Sequence, residues 1–481
     1  WVADWVAEGA PLAEAQDLTP DDDRHVGSFA WTGDGAAIAY VHQPVPSVDR
    51  WPETRLAVRT LDVDAAEGET IEIAMVSACF PSIAVHGDWI ACPVAEGPAR
   101  WAVHERIVLF PLSGGEPRPL SLTPDGHPWI VGWSGDGEHV LVVEWSGVSS
   151  AVLALPIDGG EPTPRVAGRG ILTAVRANGG GAIGFAFEDV DCPNRVCLWP
   201  ADEPAWRDVA SPAPADWPTG RVPRTEVISW QAPDGIEIEG LVTLPAGYTP
   251  GTRYPAIVMV HGGPAGTHSR SYIASADPYP IAAFAERGYV VFRPNPRGSG
   301  GYGAAFRSAN VRDWGGGDFA DIMAGVDALI ARGLADPERL GIMGWSYGGY
   351  MTSWAITQTT RFRAASVGAG VTNLMSFTGS TDIAGFLPSY FEAEFWHDHE
   401  VYAARSPLFN VRGVTTPTLI QHGQADERVP LGQGKELYNA LKRQGVPVEM
   451  DIYPRQGHGP SEPRIIMDIM RRNLAWFDRW L

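Results

Sequence analysis

The segment Gly344-Trp345-Ser346-Tyr347-Gly348-Gly349 limits the fold of this chain more than any other stretch. Ahead of it, Arg339-Leu340-Gly341-Ile342-Met343 reads as a short buried strand, and behind it residues 350–356 read as the start of a helix. A strand that turns directly into a helix has no room for side chains at the flanking positions, which accounts for the glycines on both sides. Such a unit belongs to a sheet covered by helices. It lifts the serine hydroxyl to the top of that sheet, in the manner of a nucleophile elbow. A chain with 55 glycines also matches G-x-S-x-G by chance, so a glycine-rich turn with an incidental serine is the alternative until the surroundings are read.

The surroundings agree with the elbow. From Thr225 onward, apolar strands at 256–260, 289–292, 340–343, 364–367, 418–421 and 449–453 alternate with helical segments at 318–332, 347–358, 431–444 and 463–480. That alternation predicts a doubly wound, mostly parallel sheet, an α/β-hydrolase arrangement if Ser346 is its nucleophile. Residues 225–481 are enough for one such domain.

The first half carries a different signal. Residues 29–40 (FAWTGDGAAIAY) and 131–142 (VGWSGDGEHVLV) each place a tight Gly-Asp-Gly turn between two short strands. A weaker copy lies at 83–91 and a degraded one at 173–180. The repeat is roughly 45 to 50 residues, the length of one four-stranded propeller blade, so about four blades fit between residues 25 and 212. A β-sandwich with similar turns is the alternative. Residues 198–224 contain six prolines and no clean periodicity, and read as a linker or as last-blade strands running into one. The expected organisation is therefore an all-β, propeller-like domain at 1–224 and an α/β domain at 225–481.

Charge is divided as unevenly as pattern. The net charge is −21; residues 1–224 hold 32 acidic and 14 basic side chains (−18), and residues 225–481 hold 25 and 22 (−3). An acidic first half argues against nucleic-acid and anionic-membrane partners. Cys79, Cys92, Cys192 and Cys197 are too few for a disulfide framework and form no zinc pattern, so free thiols and no metal or cofactor are expected. No apolar run reaches the length of a membrane span, and the first residues lack the basic and apolar regions of a signal peptide, so a cytoplasmic location is expected.

A catalytic serine needs a base, a group to orient the base, and donors for the oxyanion. In a doubly wound sheet these sit on loops at the carboxyl ends of strands. Two loops follow strands in the order serine, aspartate, histidine: His422-Gly423-Gln424-Ala425-Asp426 and Pro454-Arg455-Gln456-Gly457-His458. His458 would take the proton of Ser346, and Asp426 would fix the imidazole tautomer and stabilise the imidazolium. The loop His261-Gly262-Gly263-Pro264 follows the strand at 256–260, and its Gly263 N–H with that of Tyr347 would hold the oxyanion. His261 is read as ordering its loop. Tyr347, Trp345 and Tyr350 either wall a substrate pocket or pack under the elbow.

Together these residues resemble the prolyl oligopeptidase family of serine peptidases, nearest its acylaminoacyl-peptidase and bacterial oligopeptidase branch. The resemblance covers the second half of the chain. Its marks are residues 232–240, His261-Gly262-Gly263-Pro264, Asn295-Pro296-Arg297-Gly298-Ser299-Gly300-Gly301-Tyr302-Gly303, and Trp314-Gly315-Gly316 with Asp318 and Asp321. The elbow, Asp426-x-Arg428-Val429-Pro430 and Gly457-His458 complete the set. The resemblance implies a β-propeller over the active site, with seven or eight blades in most members where about four fit here. It also implies that Arg428 holds a substrate carbonyl, the alternative being a salt bridge to Glu427 or Asp426. Glu392 and Glu394 either anchor a free amino end or lie on a solvated helix face. The expected activity is hydrolysis of short peptides or of aminoacyl or acyl-aminoacyl amides through an acyl-enzyme, with a carboxylesterase or amidase as the alternative. Family members often assemble, so a homo-oligomer is open.

Overall fold

Hairpin chemistry repeats along the first half and builds four separate four-stranded antiparallel sheets, spanning residues 25–75, 84–119, 129–166 and 171–210. They are seen in a computed structural model that describes residues 24–61, 69–78, 81–102, 104–203, 205–214, 217 and 222–481. Within each sheet the strands lie in chain order. The sequence repeats are the first hairpins: Phe29 pairs with Tyr40 and Trp31 with Ile38, and Trp133 pairs with Val140. Both Gly-Asp-Gly turns close through the same bonds. Thr32 Oγ1 donates to Asp34 Oδ1 at 2.6 Å and Ser134 Oγ to Asp136 Oδ1 at 2.5 Å. The same aspartate oxygens accept the N–H groups of Ala36 and Glu138, each at 3.0 Å.

The first strands of consecutive sheets adjoin in order: His25–Trp31 beside Ala84–His86, that beside Trp129–Trp133, and that beside Ile171–Ala177. Apolar faces fill the gaps between sheets. Val41, Leu56 and Val58 meet Ile90, Cys92 and Val108; Ile107 and Leu109 meet Ile130 and Val140; Leu141 and Val152 meet Phe185 and Phe187. Sheets stacked face to face around their first strands give propeller-like packing. Part of the proline-rich stretch is structured, since Cys192–Trp199 and Arg207–Ala210 are the third and fourth strands of the fourth sheet. Cys92, Cys192 and Cys197 are free thiols; Cys79 and the first 23 residues lie outside the described residues.

The second half is built on one eight-stranded sheet. Its order is Thr225–Gln231, Glu237–Thr243, Val290–Asn295, Tyr254–Val260, Ala335–Trp345, Phe362–Gly368, Thr418–Gly423 and Val448–Tyr453. The last six run parallel, while the first two form an antiparallel hairpin at one edge. All six expected strands are present, as are helices Gly317–Ala331, Tyr347–Gln358, Gly432–Arg443 and Pro463–Trp480. Parallel strands covered on both faces read as continuous apolar runs because neighbours point to opposite cores. Val258 and Ile342 pack with Phe292 and Met351 on one side; Ile257 and Met343 pack with Phe284 and Phe477 on the other. Among the described residues no helix is long and apolar enough to cross a membrane.

The two halves meet through buried charge. Arg307 and Asp125 form an ion pair at 2.6 Å with both side chains at most 3% exposed. Arg270 grips Asp189 through two bonds of 2.9 and 3.0 Å.

Candidate active site

Strand Ala335–Trp345 ends at Ser346, which begins helix Tyr347–Gln358 with φ 62° and ψ −120°. A non-glycine residue held there stores about 1–3 kcal/mol of backbone strain, supplied by the packing around it. The crowding that forces glycine is plain in the geometry. A methyl group on Gly348 would stand 2.1 Å from the Val260 carbonyl oxygen, and one on Gly344 would stand 2.5 Å from the Gly348 backbone. The Ser346 N–H donates to the Gly368 carbonyl at 2.9 Å, fixing the turn to the next strand.

The two candidate loops at the carboxyl end of the sheet lie against each other. Ala425 N–H donates to the Gln456 carbonyl at 2.9 Å, and Gly423 packs so closely on residues 456–457 that a side chain would collide. His458 Nδ1 lies 2.9 Å from Asp426 Oδ2. The Asp426 side chain is fully buried, and its Oδ1 accepts the Val429 N–H at 2.9 Å. Both carboxylate oxygens are therefore occupied and the carboxylate cannot rotate away from the imidazole. His422, also fully buried, lies 3.6 Å from the same oxygen, and burial holds its pKa below the ordinary value, so it adds no charge. Trp345, the residue before Ser346, donates its indole N–H to the His458 carbonyl at 2.8 Å. The strand that ends at Ser346 and the loop that carries His458 are thereby linked directly.

The loop after strand Tyr254–Val260 completes the rim. Gly262 abuts Ser346, with a methyl group there 3.5 Å from the Ser346 Cβ. Gly263, at φ 129°, faces the same cavity as Ser346, Tyr347 and His458. His261 is engaged on both ring nitrogens, by Ser299 Oγ and the Gly262 carbonyl, each at 2.8 Å, and burial lowers its pKa to about 4. It is a neutral, loop-ordering residue, as expected.

The cavity holds about 300 Å³ and its walls are mostly aromatic and aliphatic, with Trp314, Val371, Phe377, Phe386 and Tyr390 lining it together with Ser346 and His458. Tyr347 both lines this cavity and packs under the elbow, where its hydroxyl donates to the buried Asp318. Burial raises the Asp318 pKa to about 7, and the Tyr347 bond only partly offsets this. Trp345 and Tyr350 take the second option left open by the sequence: Tyr350 is fully buried and neither lines the cavity.

Arg428 lines the cavity, but its ion-pair partner is neither neighbour expected from the sequence. It makes two bonds, of 2.7 and 3.1 Å, to Asp382, which is 46 residues away in the chain. Glu392 and Glu394 do not line the cavity. Glu392, read from the sequence as either an amino-end anchor or part of a solvated helix face, pairs with Arg100 of the all-β half. Glu394 uses its carbonyl to cap the turn at His397 and Asp398. The sequence reading missed Asp382 and Trp101, which sit by the cavity through long-range packing that no local pattern announces.

Residues 275–481 match the prolyl oligopeptidase family of peptidases. An uncharacterized peptidase, YuxL, of Bacillus subtilis is 38% identical over 261 residues, 53% of this chain and 39% of its own length. The human acylamino-acid-releasing enzyme is 32% identical over 253 residues, 50% of this chain and 34% of its own length. The matched region thus spans well under half of either relative. A solved acylaminoacyl peptidase of Pyrococcus horikoshii superposes on 95% of this chain and 81% of its own, with TM-score 0.71 and 23% identity, a likeness of fold.

Proposed function

We propose that this chain, whose residues 275–481 match the prolyl oligopeptidase family, is a serine peptidase of that family acting on short peptides or on aminoacyl or acyl-aminoacyl amides. The observation that carries the reading is the 2.9 Å contact of His458 with the buried Asp426 beside a serine on a strained elbow in the same cavity. In the proposed cycle His458 Nε2 takes the Ser346 proton as Oγ attacks the scissile carbonyl, while Asp426 holds the Nδ1–H and stabilises the imidazolium. The N–H groups of Gly263 and Tyr347 receive the oxyanion, a term for which losing one donor costs about 3 to 4 kcal/mol of barrier. The imidazolium then protonates the leaving amine, and the acyl-enzyme is hydrolysed by a water that His458 deprotonates. Arg428, held in orientation by Asp382, donates to a peptide carbonyl of the substrate.

The four antiparallel sheets are read as about four propeller blades covering this site, with the domain boundary at 224/225. A cytoplasmic location, peptide substrates, and no nucleic-acid or membrane partner complete the proposal; homo-oligomers are compatible with it. A carboxylesterase or amidase is the second reading, favoured by a cavity whose walls are largely apolar and need no peptide backbone to fill them.

The test is a panel of aminoacyl, acetyl-aminoacyl, dipeptidyl and prolyl amides sharing one chromogenic leaving group, run beside the matching esters. Amide turnover that vanishes in Ser346→Ala is expected. Ester turnover with negligible amide turnover would select the second reading.

A further inference from the structure

One wall of the cavity comes from the other half of the molecule. Trp101 lies between strands Trp89–Ala95 and Glu105–Pro111 of the second antiparallel sheet, yet it lines the cavity that holds Ser346 and His458. Its ring meets Phe386 edge-on at 5.4 Å, and its other side is backed by the buried Trp51 at 5.8 Å. Phe386 and Tyr390, the facing wall, sit on the short helix Phe386–Phe391, which is inserted between two strands of the α/β sheet. That helix is held to the all-β half at three points. The Asp49 carboxylate accepts the Gly385 N–H at 2.6 Å, the Trp101 N–H donates to Ser389 Oγ at 2.9 Å, and Arg100 pairs with Glu392. Such spacing over about two turns, from the residue before the helix to the residue after it, sets both the position and the tilt of its aromatic face.

We propose that Trp101 is a specificity-determining residue: it closes the pocket for the acyl-side side chain from the propeller side, and the pocket so completed favours an aromatic side chain on the substrate. The inference deepens the peptidase reading and rests on it for the nature of the acyl group. Aromatic rings at right angles leave a slot into which a further ring stacks edge-to-face, while a methyl group leaves the slot wet. Discrimination between large and small apolar groups by such a pocket reaches about tenfold or more. The preference is thus built only when the two halves are in register. This separates Trp101 from Trp314 and Tyr390, which the α/β half supplies itself.

The experiment compares kcat/KM for phenylalanyl and alanyl p-nitroanilides, and for the matching p-nitrophenyl esters, in wild type, Trp101→Ala and Trp101→Leu. The phenylalanyl-to-alanyl ratio is expected to fall about tenfold in Trp101→Ala and about threefold in Trp101→Leu. Trp101→Leu keeps apolar bulk against Trp51 and Phe386, so it reports even if the alanine variant does not fold. Labelling of Ser346 by a fluorophosphonate shows which variants carry an assembled site. An unchanged ratio in either labelled variant, or equal losses on both side chains, would overturn the proposal. The ester pair keeps the two readings apart: an enzyme that cleaves only esters fails as a peptidase, yet its ester ratio still tests Trp101.

Discussion

In the all-β half, Gly35 is glycine because its own φ of 72° lies in the left-handed region, and a side chain there would meet open space. In the α/β half, Gly348 sits in a regular helix, and glycine is required because the Val260 carbonyl passes where a side chain would be. The first demand is local, so it recurs with the repeat at Gly137, at φ 74°. The second is tertiary, and it gathers at Gly344, Gly348, Gly349 and Gly423, where strand ends, elbow and neighbouring loops cross. Periodic architecture therefore spreads its constraints thinly. The α/β half concentrates them in close backbone contacts around Ser346.

That contrast orders the expected effects of substitution. Ser346→Ala should lower kcat/KM by about 10⁵- to 10⁶-fold with little change in unfolding midpoint, as read by amide hydrolysis and denaturant titration. A loss under a hundredfold would mean that the elbow serine is not the nucleophile. Gly348→Ala should cost at least about 3 kcal/mol in urea unfolding and abolish activity as well, because the added methyl overlaps backbone that cannot shift.

Asp318 sharpens the comparison through pH. With its pKa raised to about 7 by burial, the native state keeps a proton between about pH 4 and pH 7 that the unfolded chain has lost. Unfolding releases that proton, so native stability falls as pH rises across this window and is level above it. Asp318→Asn, which cannot titrate, should flatten the fall, a difference of a few kcal/mol at about 1.4 kcal/mol per pH unit. Guanidinium unfolding at pH 5 and pH 7.5 measures it, and parallel profiles for the two proteins would exclude a neutral Asp318. The smallest effect belongs to the repeat. Gly35→Ala should cost about 1 kcal/mol and leave hydrolysis untouched. A larger cost would mean that the first turn is packed against something.

The same division explains what could be read from the sequence. The elbow, the Asp426 and His458 loops and the Gly-Asp-Gly turns are written in short, explicit local patterns, even where, as at Gly348, the contact that demands the glycine is distant. Six strands and four helices of the α/β half fall where periodicity puts them, although the Ala335–Trp345 strand starts five residues before the expected 340. Glu392 was ambiguous because its partner, Arg100, is 292 residues distant, and Arg428 pairs with Asp382 rather than a chain neighbour for the same reason. Trp101 is the extreme case. Nothing around it in the chain distinguishes it from the other eighteen tryptophans, and only the docking of the two halves brings it to the cavity.

The bond from the Trp345 indole to the His458 carbonyl works as a clasp between parts of the chain 113 residues apart. A clasp of this kind couples the two in failure: moving the loop that carries His458 away from the strand that ends at Ser346 breaks it, at a cost of about 1 kcal/mol added to the other contacts of that edge. Heating should therefore extinguish turnover in a single step with the local opening of that edge, without passing through a weakened but working enzyme.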